Sequence, residues 1–279
     1  MKNFVFLNGH WVPATPRLLE SLTPGRLRGR GVFETMRCVD GKIFRLKEHL
    51  KRLSRGLEIL RLPLPCSRRK LHRHLKETVK VNRLRNARVR LVVWQAGRKA
   101  RLAIVAAALR PDPALRYRRS FRGKLTLFRK RLNSRRPFLK SLDYRPYLRA
   151  YEKAIRRGFT EAILINPRGI VMEGSRSNLF FFEDGVLLTP ALCCGCLRGV
   201  TRQVILRLAR KKGIKVREAV LHRERLKKFN EAFLTNAVMG IMPLTHIDGH
   251  AFGRGRAGPL TTMLMKDYVW AVRNEIRFR

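Results

Sequence analysis

Residues 172–180 read M-E-G-S-R-S-N-L-F, and upstream of them 138–144 read F-L-K-S-L-D-Y. The two stretches set out a lysine, Lys140, and a carboxylate, Glu173, each in a marked context. Such a pair has a definite chemistry: an amine captures an aldehyde as a Schiff base, while a carboxylate keeps the nitrogen of an aromatic ring protonated and makes that ring an electron sink. In a chain with 63 Lys and Arg residues, a lone lysine is ordinarily a solvated one. The surroundings of the pair therefore have to decide.

Working outward, the segment between the two stretches predicts a helix from about 143 to 157 stopped by Gly158. Strands follow near 161–166, 170–173 and 178–183, then the turn Asp184-Gly185 into V-L-L-T-P. Thr201 to Lys212 has helical spacing with Gly213 as its C-terminal cap. Beyond it come a strand at 214–220, a short helix, a strand-turn-strand in A-F-L-T-N-A-V-M-G-I-M-P-L, and a last helix at about 259–275. Toward the N-terminus, Asn8-Gly9 and Asp40-Gly41 each separate alternating runs and predict two β-hairpins. Leu46, His49, Leu50, Leu53, Leu57 and Leu60 fall at helical spacing ahead of Pro63, and 67–80 predict a second, shorter helix. A-R-V-R-L-V-V-W-Q-A and R-L-A-I-V-A-A-A-L form two strands of one sheet, Pro111-Asp112-Pro113 breaks the pattern, and a strand occupies 124–130. The expected organisation is a small N-terminal α/β domain over 1–115 and a larger domain over 116–279.

A chain of 279 residues with 45% hydrophobic content builds a sizeable core, and no apolar run approaches the ~20 residues that span a bilayer. The start lacks the long apolar stretch of a signal peptide, which leads us to expect a cytoplasmic protein with no membrane partner. Cys38, Cys66, Cys193, Cys194 and Cys196 are odd in number and read as reduced thiols, and C-C-G-C lacks the second ligand pair a zinc site needs, so no metal is expected. The net charge of +44 makes adhesion to polyanions such as nucleic acid hard to avoid. The basic residues are nonetheless spread through every segment, and no nucleic-acid-binding motif is visible.

Six motifs in order, N-G-H-W-V, G-R-G-V-F-E-T-M-R with D-G-K-I-F-R-L-K-E-H-L-K-R-L, K-S-L-D-Y, E-G-S-R-S-N-L-F, L-R-G-V-T-R and T-N-A-V-M-G-I-M-P, give the chain a resemblance to the fold-type IV, or class IV, pyridoxal-phosphate enzymes over nearly its whole length. The resemblance implies a two-domain α/β fold whose larger lobe carries a β-barrel-like sheet, and pyridoxal 5'-phosphate as cofactor. It makes Lys140 the Schiff-base lysine and proton shuttle, since a desolvated lysine has a lowered pKa and supplies free amine. Glu173 matches the partner of the pyridine nitrogen and Arg52 the phosphate-binding arginine, whose fork suits phosphate oxygens. Gly199, Val200 and Thr201 would bring backbone N–H groups and a hydroxyl to the phosphate at a helix N-terminus, with Thr235 and Asn236 as a second phosphate contact. Tyr144, four residues after Lys140 on one helix face, would reach the ring oxygen. Arg30 stands where the family often has aspartate, and Asp143 where it often has asparagine.

The family divides by the fate of the substrate carbanion. T-N-A-V-M-G-I-M-P and the compact chain lead us to expect 4-amino-4-deoxychorismate lyase, which expels pyruvate and leaves 4-aminobenzoate for folate synthesis. The alternative is a transaminase for branched-chain or D-amino acids and 2-oxo acids. A non-catalytic polyanion-binding protein on the same fold is the remote third reading. A small anionic amino substrate needs cationic or N–H partners for its carboxylate, for which Arg37, Trp94 and Arg98 are the candidates, and the family implies a homodimer.

Overall fold

The structure, a computed structural model, describes residues 3–27, 29–109, 121–129 and 139–277. The Pro111-Asp112-Pro113 break lies outside the described residues. Contacts divide the chain into two compact units. The first holds the described residues up to Leu109, Leu139–Arg145 and those from Val272 on, and the second holds 121–129 and Pro146–Ala271.

In the first unit, β1 (Phe4–Leu7), β2 (His10–Pro13), β3 (Gly31–Val39), β4 (Lys42–Ile43), β5 (Ala87–Ala96) and β6 (Lys99–Ala108) form one sheet in the order β2-β1-β6-β5-β3-β4, with every pair antiparallel. Both expected hairpins are present. Their tight turns need two successive residues at positive φ, which Asn8 (50°) with Gly9 (101°) and Asp40 (46°) with Gly41 (77°) supply. Helices α1 (Pro16–Ser21), α2 (Leu46–Ile59) and α3 (Arg68–Val81) accompany the sheet. Leu53 and Leu57 of α2 and Leu71 and Leu75 of α3 bury against Met36, Val89, Leu91, Val93 and Ile104, each leucine contributing roughly 1.5–3 kcal/mol. Strand β5 alternates: Ala87, Val89, Leu91 and Val93 enter that core, which leaves Arg88, Arg90, Val92 and Trp94 on the opposite face. Helix α1 was not expected, yet its start is legible in Thr15-Pro16. The Thr15 hydroxyl accepts from Leu18 N (3.3 Å) and the proline takes the first helical position.

The second unit contains β7 (Phe121–Leu127), β8 (Glu161–Ile165), β9 (Val171–Gly174), β10 (Asn178–Glu183), β11 (Val186–Pro190), β12 (Val216–Ala219), β13 (Glu231–Asn236), β14 (Gly240–Ile247) and β15 (His250–Ala251), in the order β12-β11-β10-β13-β14-β7-β8-β9 with β15 paired to β14. Pairs β11–β12, β14–β7 and β7–β8 are parallel. Strand β9, last in this order, also lies against β10 and β11, so the sheet curls as the barrel-like expectation requires. Ile163, Leu179, Phe181, Leu188, Leu234 and Leu244 fill its core. Helices α4 (Arg145–Arg156), α5 (Val200–Lys211) and α6 (Pro259–Arg277) complete the described elements.

One expectation is overturned at Lys140. Helix α4 begins only at Arg145, and Lys140 to Tyr144 are not helical. Phe33 N donates to Lys140 O and Leu142 N to Gly31 O, both at 3.0 Å, and Ser141 bridges Val32. Leu142 is buried against Phe33 and Val92. Pairing with β3 thus takes the backbone bonds that a helix would have used. At Gly31 a Cβ would stand 2.6 Å from the Leu142 side chain and 2.5 Å from Val93 O, so only glycine lets the segment dock.

Candidate active site

Two clusters of polar side chains, one in each unit, gather most of the residues singled out in the sequence. In the first unit the docked segment carries Lys140 across the face of β3. Its Nζ stands 4.5 Å from the centre of the Phe33 ring and 6.0 Å from that of Tyr144, and the two rings meet edge to face at 5.3 Å. Tyr144 thus joins Lys140 through an extended segment rather than along a helix face. On the next residue of β3, Glu34 is fully buried and binds α2 twice over. Arg52 donates Nε to Oε1 (2.7 Å) and Nη2 to Oε2 (2.6 Å), and His49 Nδ1 lies 2.7 Å from Oε2. Burial alone would raise the Glu34 pKa, but the Arg52 charge and fork, with the His49 hydrogen bond, outweigh it and hold the carboxyl at about 2. His49 is pushed the other way, below its ordinary value, chiefly by burial and against its bond to Glu34, with the charges of Arg52 and Lys140 helping. A neutral imidazole facing an ionised carboxylate carries its proton on Nδ1 and donates it. The result is an arginine whose orientation is set by a buried anion.

The face of the sheet that carries Phe33 holds a residue the sequence reading missed. Arg90 of β5 lies opposite Thr35, two pairs along the ladder from Phe33 and Val92 and so on the same face as they are. Its Nη1 donates to Thr23 Oγ1 at 3.3 Å, while its Nε is buried without a hydrogen-bond partner. Burial and then the neighbouring Arg88 charge lower its pKa to about 10, with Tyr144 opposing them, so it stays a cation at neutral pH. The alternation of A-R-V-R-L-V-V-W, laid in register on β3, is the signal that could have found it.

In the second unit Glu173 sits at the end of β9, buried. Its Oε2 accepts from Leu197 N (2.8 Å) and Asn178 Nδ2 (3.3 Å), and Asn178 Nδ2 also donates to Leu197 O (2.8 Å). Asn178 ties this carboxylate to two further features. It pairs with Thr235 across β10 and β13, and its Oδ1 approaches Gly199 so closely that a Cβ there would overlap it. Gly199 begins α5 with no side chain capping the helix, at an ordinary φ of −65°, so close approach rather than backbone freedom demands the glycine. Val200 and Thr201 form the first turn, both buried, and the Thr235 hydroxyl is buried without a partner. Uncapped N–H groups at a helix start and an unpartnered buried hydroxyl are what an anion such as a phosphate satisfies.

The chain matches the family model described as amino-transferase class IV over residues 31–247. A branched-chain-amino-acid aminotransferase of Pseudomonas aeruginosa is 32% identical over 262 residues, covering 86% of this chain and 83% of that protein. A D-alanine aminotransferase of Listeria monocytogenes is 32% identical over 276 residues, covering 95% and 94%. A solved T.th. branched-chain amino acid aminotransferase with pyridoxamine 5'-phosphate superposes with a TM-score of 0.85 at 29% identity, covering 98% of this chain and 94% of that one. This chain belongs to the class IV aminotransferases. It is a pyridoxal-phosphate-dependent enzyme, as the six motifs implied.

Not every residue named from the sequence of this class IV aminotransferase lies where it was expected. Asn236 uses its side chain to close the turn after β13, accepting from Val238 N (3.0 Å) and Met239 N (2.8 Å) and donating to Arg176 O (3.3 Å), so Thr235 alone of that pair offers a hydroxyl. Arg37 is four residues along β3 from Phe33, roughly 13 Å at strand rise, and pairs with Arg88. Arg98 is exposed in the β5–β6 turn. Trp94 alone of the three substrate candidates joins the group around Lys140, packing with Phe33, Leu142 and Tyr144. Arg30 donates to Leu60 O at the end of α2. Cys194 and Cys196 are buried, Cys193 is exposed, and no group of metal-ligating side chains occurs among the described residues.

Proposed function

We propose that this enzyme is a transaminase that moves the amino group of a branched-chain amino acid to a 2-oxo acid. The observation that carries the proposal is the sheet face around Lys140. Phe33, Val92, Leu142, Leu27, Trp94 and Tyr144 make it apolar, and Arg90 is a half-buried cation on it whose buried Nε–H is unpartnered. Aliphatic side chains match such a face, and one carboxylate matches one guanidinium. The names of the relatives above also support transamination.

The residues fit the cofactor. Within the second unit, Thr235 Oγ1, the hydroxyl of Thr201 and the first N–H groups of α5 suit a phosphate and Glu173 suits a protonated ring nitrogen; within the first, Arg52 is a cation suited to an anion, although Glu34 holds its Nε and Nη2, and Tyr144 suits a ring oxygen. When bound, pyridoxal phosphate supplies an aldehyde carbon for an amine to capture and a ring that withdraws electrons from the substrate's α-carbon. Lys140 then has two tasks, as the amine that holds the aldehyde between turnovers and as the base that moves the α-proton. Phe33 beneath its Nζ keeps water from that side. Asn178 and Leu197 N fix Glu173 so that its charge faces one direction. We further propose a homodimer in the cytoplasm and salt-sensitive association with nucleic acid, the last resting on the net charge of +44.

The test is to purify the protein in high salt, record its visible spectrum, and assay L-leucine, L-valine and D-alanine against 2-oxoglutarate beside 4-amino-4-deoxychorismate. Glutamate formation from the branched-chain substrates is the expected result. Equimolar pyruvate and 4-aminobenzoate would instead establish the lyase.

A further inference from the structure

Glu161, the first residue of β8, belongs to neither cluster of candidate residues, yet it is only 1% exposed. Its Oε1 accepts from the Ser175 hydroxyl and from Ala162 N (3.0 Å), and its Oε2 accepts from the Ser177 hydroxyl (3.0 Å). Both serines lie in the turn that leads from Glu173 to Asn178. The backbone closes the same turn: Ser175 N donates to Ala162 O (2.9 Å) and Gly174 N to Ser177 O (2.8 Å). At Gly174 a Cβ would overlap Ser177 Oγ and stand 3.3 Å from the Glu161 carboxyl carbon. The turn is therefore wrapped on the carboxylate with no room for a side chain between them.

We propose that Glu161 is a positioning residue that, through Ser175 and Ser177, sets the turn holding Glu173 and Asn178 where the carboxylate of Glu173 meets the pyridine nitrogen of the cofactor. This deepens the reading of the site given above and rests on it. The physical case is that an ionised carboxylate only accepts, so both hydroxyls must aim their protons at it and neither can rotate to bind elsewhere. A water in its place would leave those rotors free to choose. The neighbouring Arg176, whose guanidinium stands 3.3 Å from the centre of the Tyr151 ring, favours the charged form, although burial pushes the Glu161 carboxyl above its ordinary value. Glu173 has Leu197 N and Asn178 on one side, and Asn178 itself leaves the far end of this turn. Loosening the turn moves both members of that pair at once. Hydrogen-bonded supports behind metal ligands govern affinity by about 10–100-fold, and a support behind Glu173 is expected to act on the same scale.

The experiment compares wild type with Glu161→Ala, Glu161→Gln, Ser177→Ala, Glu173→Gln and the core control Leu244→Ala. Two properties are read: the dissociation constant of the apoprotein for pyridoxal phosphate, and the 15N shift of the ring nitrogen in bound, 15N-labelled cofactor. Glu161→Ala is expected to weaken binding about tenfold or more and to move the ring nitrogen toward its unprotonated shift, as Glu173→Gln does. Glu161→Gln keeps two acceptor contacts and lets Ser177 accept from the amide, so it restores both readings. Leu244→Ala lowers the melting temperature without moving the shift. Should Glu161→Ala fail to fold, Ser177→Ala, which removes one donor and adds no bulk, is expected to shift both readings in the same direction. A folded Glu161→Ala or Ser177→Ala with wild-type affinity and wild-type ring-nitrogen shift overturns the inference while the cofactor reading stands. Failure of the wild type to take up pyridoxal phosphate overturns both.

Discussion

Replacing Glu34 by glutamine keeps the shape of the buried group and removes its charge, which isolates what the anion does for Arg52. In the native protein both oxygens accept, Oε1 from Arg52 Nε and Oε2 from Arg52 Nη2 and His49 Nδ1. Glutamine offers one acceptor and turns an NH2 toward a donor. Two routes give the magnitude. A folded-state pKa of about 2 against an ordinary 4.5 is worth about 3 kcal/mol at ~1.36 kcal/mol per unit. Breaking a buried pair from one side costs about 3–5 kcal/mol. The expected loss at pH 7 is therefore about 3 kcal/mol, read as a shifted urea midpoint of the apoprotein at unchanged slope. The sign with pH follows from the depressed pKa. The contribution is fully present above pH 4.5, where the unfolded carboxyl is ionised, and is lost as pH falls toward 2. His49, also depressed, removes stability as pH falls below 6.5, because the unfolded imidazole takes a proton that the folded one refuses. The difference between wild type and Glu34→Gln should thus be flat from pH 8 to pH 6 and shrink between pH 4.5 and the acid limit of folding. A loss under 1 kcal/mol at pH 7 would refute the claim that a buried anion holds the Arg52 fork.

Three further outcomes follow from single contacts. Gly199→Ala places a Cβ on Asn178 Oδ1 and should weaken pyridoxal-phosphate binding roughly tenfold, measured by titrating the apoprotein spectrally. Arg90→Met removes a half-buried cation from the face beside Lys140 and should raise KM for the 2-oxo acid about tenfold or more, with a smaller change in kcat, in steady-state assays. Glu231→Ala deletes the carboxylate that caps α6 by accepting from Leu260 N (3.1 Å) and Thr261 N (2.7 Å), and should cost about 1–2 kcal/mol in urea unfolding.

The elements were legible wherever a local rule governs them. Asn8-Gly9 and Asp40-Gly41 announce hairpins because few other dipeptides reach positive φ at both positions, and the leucine spacing of α2 survives because that helix has one sheet face to cover. What escaped was set by partners distant in the chain. Lys140 to Tyr144 read as the mouth of a helix, and the structure makes them a strand-like segment because β3 supplies its hydrogen bonds. Arg90 resembled any arginine of a basic chain until its pairing with Thr35 placed it beside Phe33 and Val92. Asn236 looked like a phosphate ligand, but the turn after it claims its side chain. Arg52 stood out through its motif, while Glu34, which orients it, lies on another element and leaves no trace in the spacing of α2.

The acids sharpen this point. Among only 19 Asp and Glu residues against 63 Lys and Arg, at least four, Glu34, Glu161, Glu173 and Glu231, are buried. Each accepts from identified donors: a guanidinium and an imidazole, two hydroxyls and an amide, a loop N–H with an asparagine, and a helix N-terminus. Surface pairing with so many cations would have been easy and would have given each acid about 0–1 kcal/mol. Burial instead demands a full set of partners and penalises any substitution that leaves one unmet. In a chain this basic, a buried carboxylate is therefore a better guide to function than any lysine or arginine. Two of the four, Glu34 and Glu173, lie in the groups that carry Arg52, Lys140 and Asn178, and Glu161 stands directly behind one of them. Glu231 is the exception that fits a purely structural account, because a helix N-terminus already uses both of its oxygens.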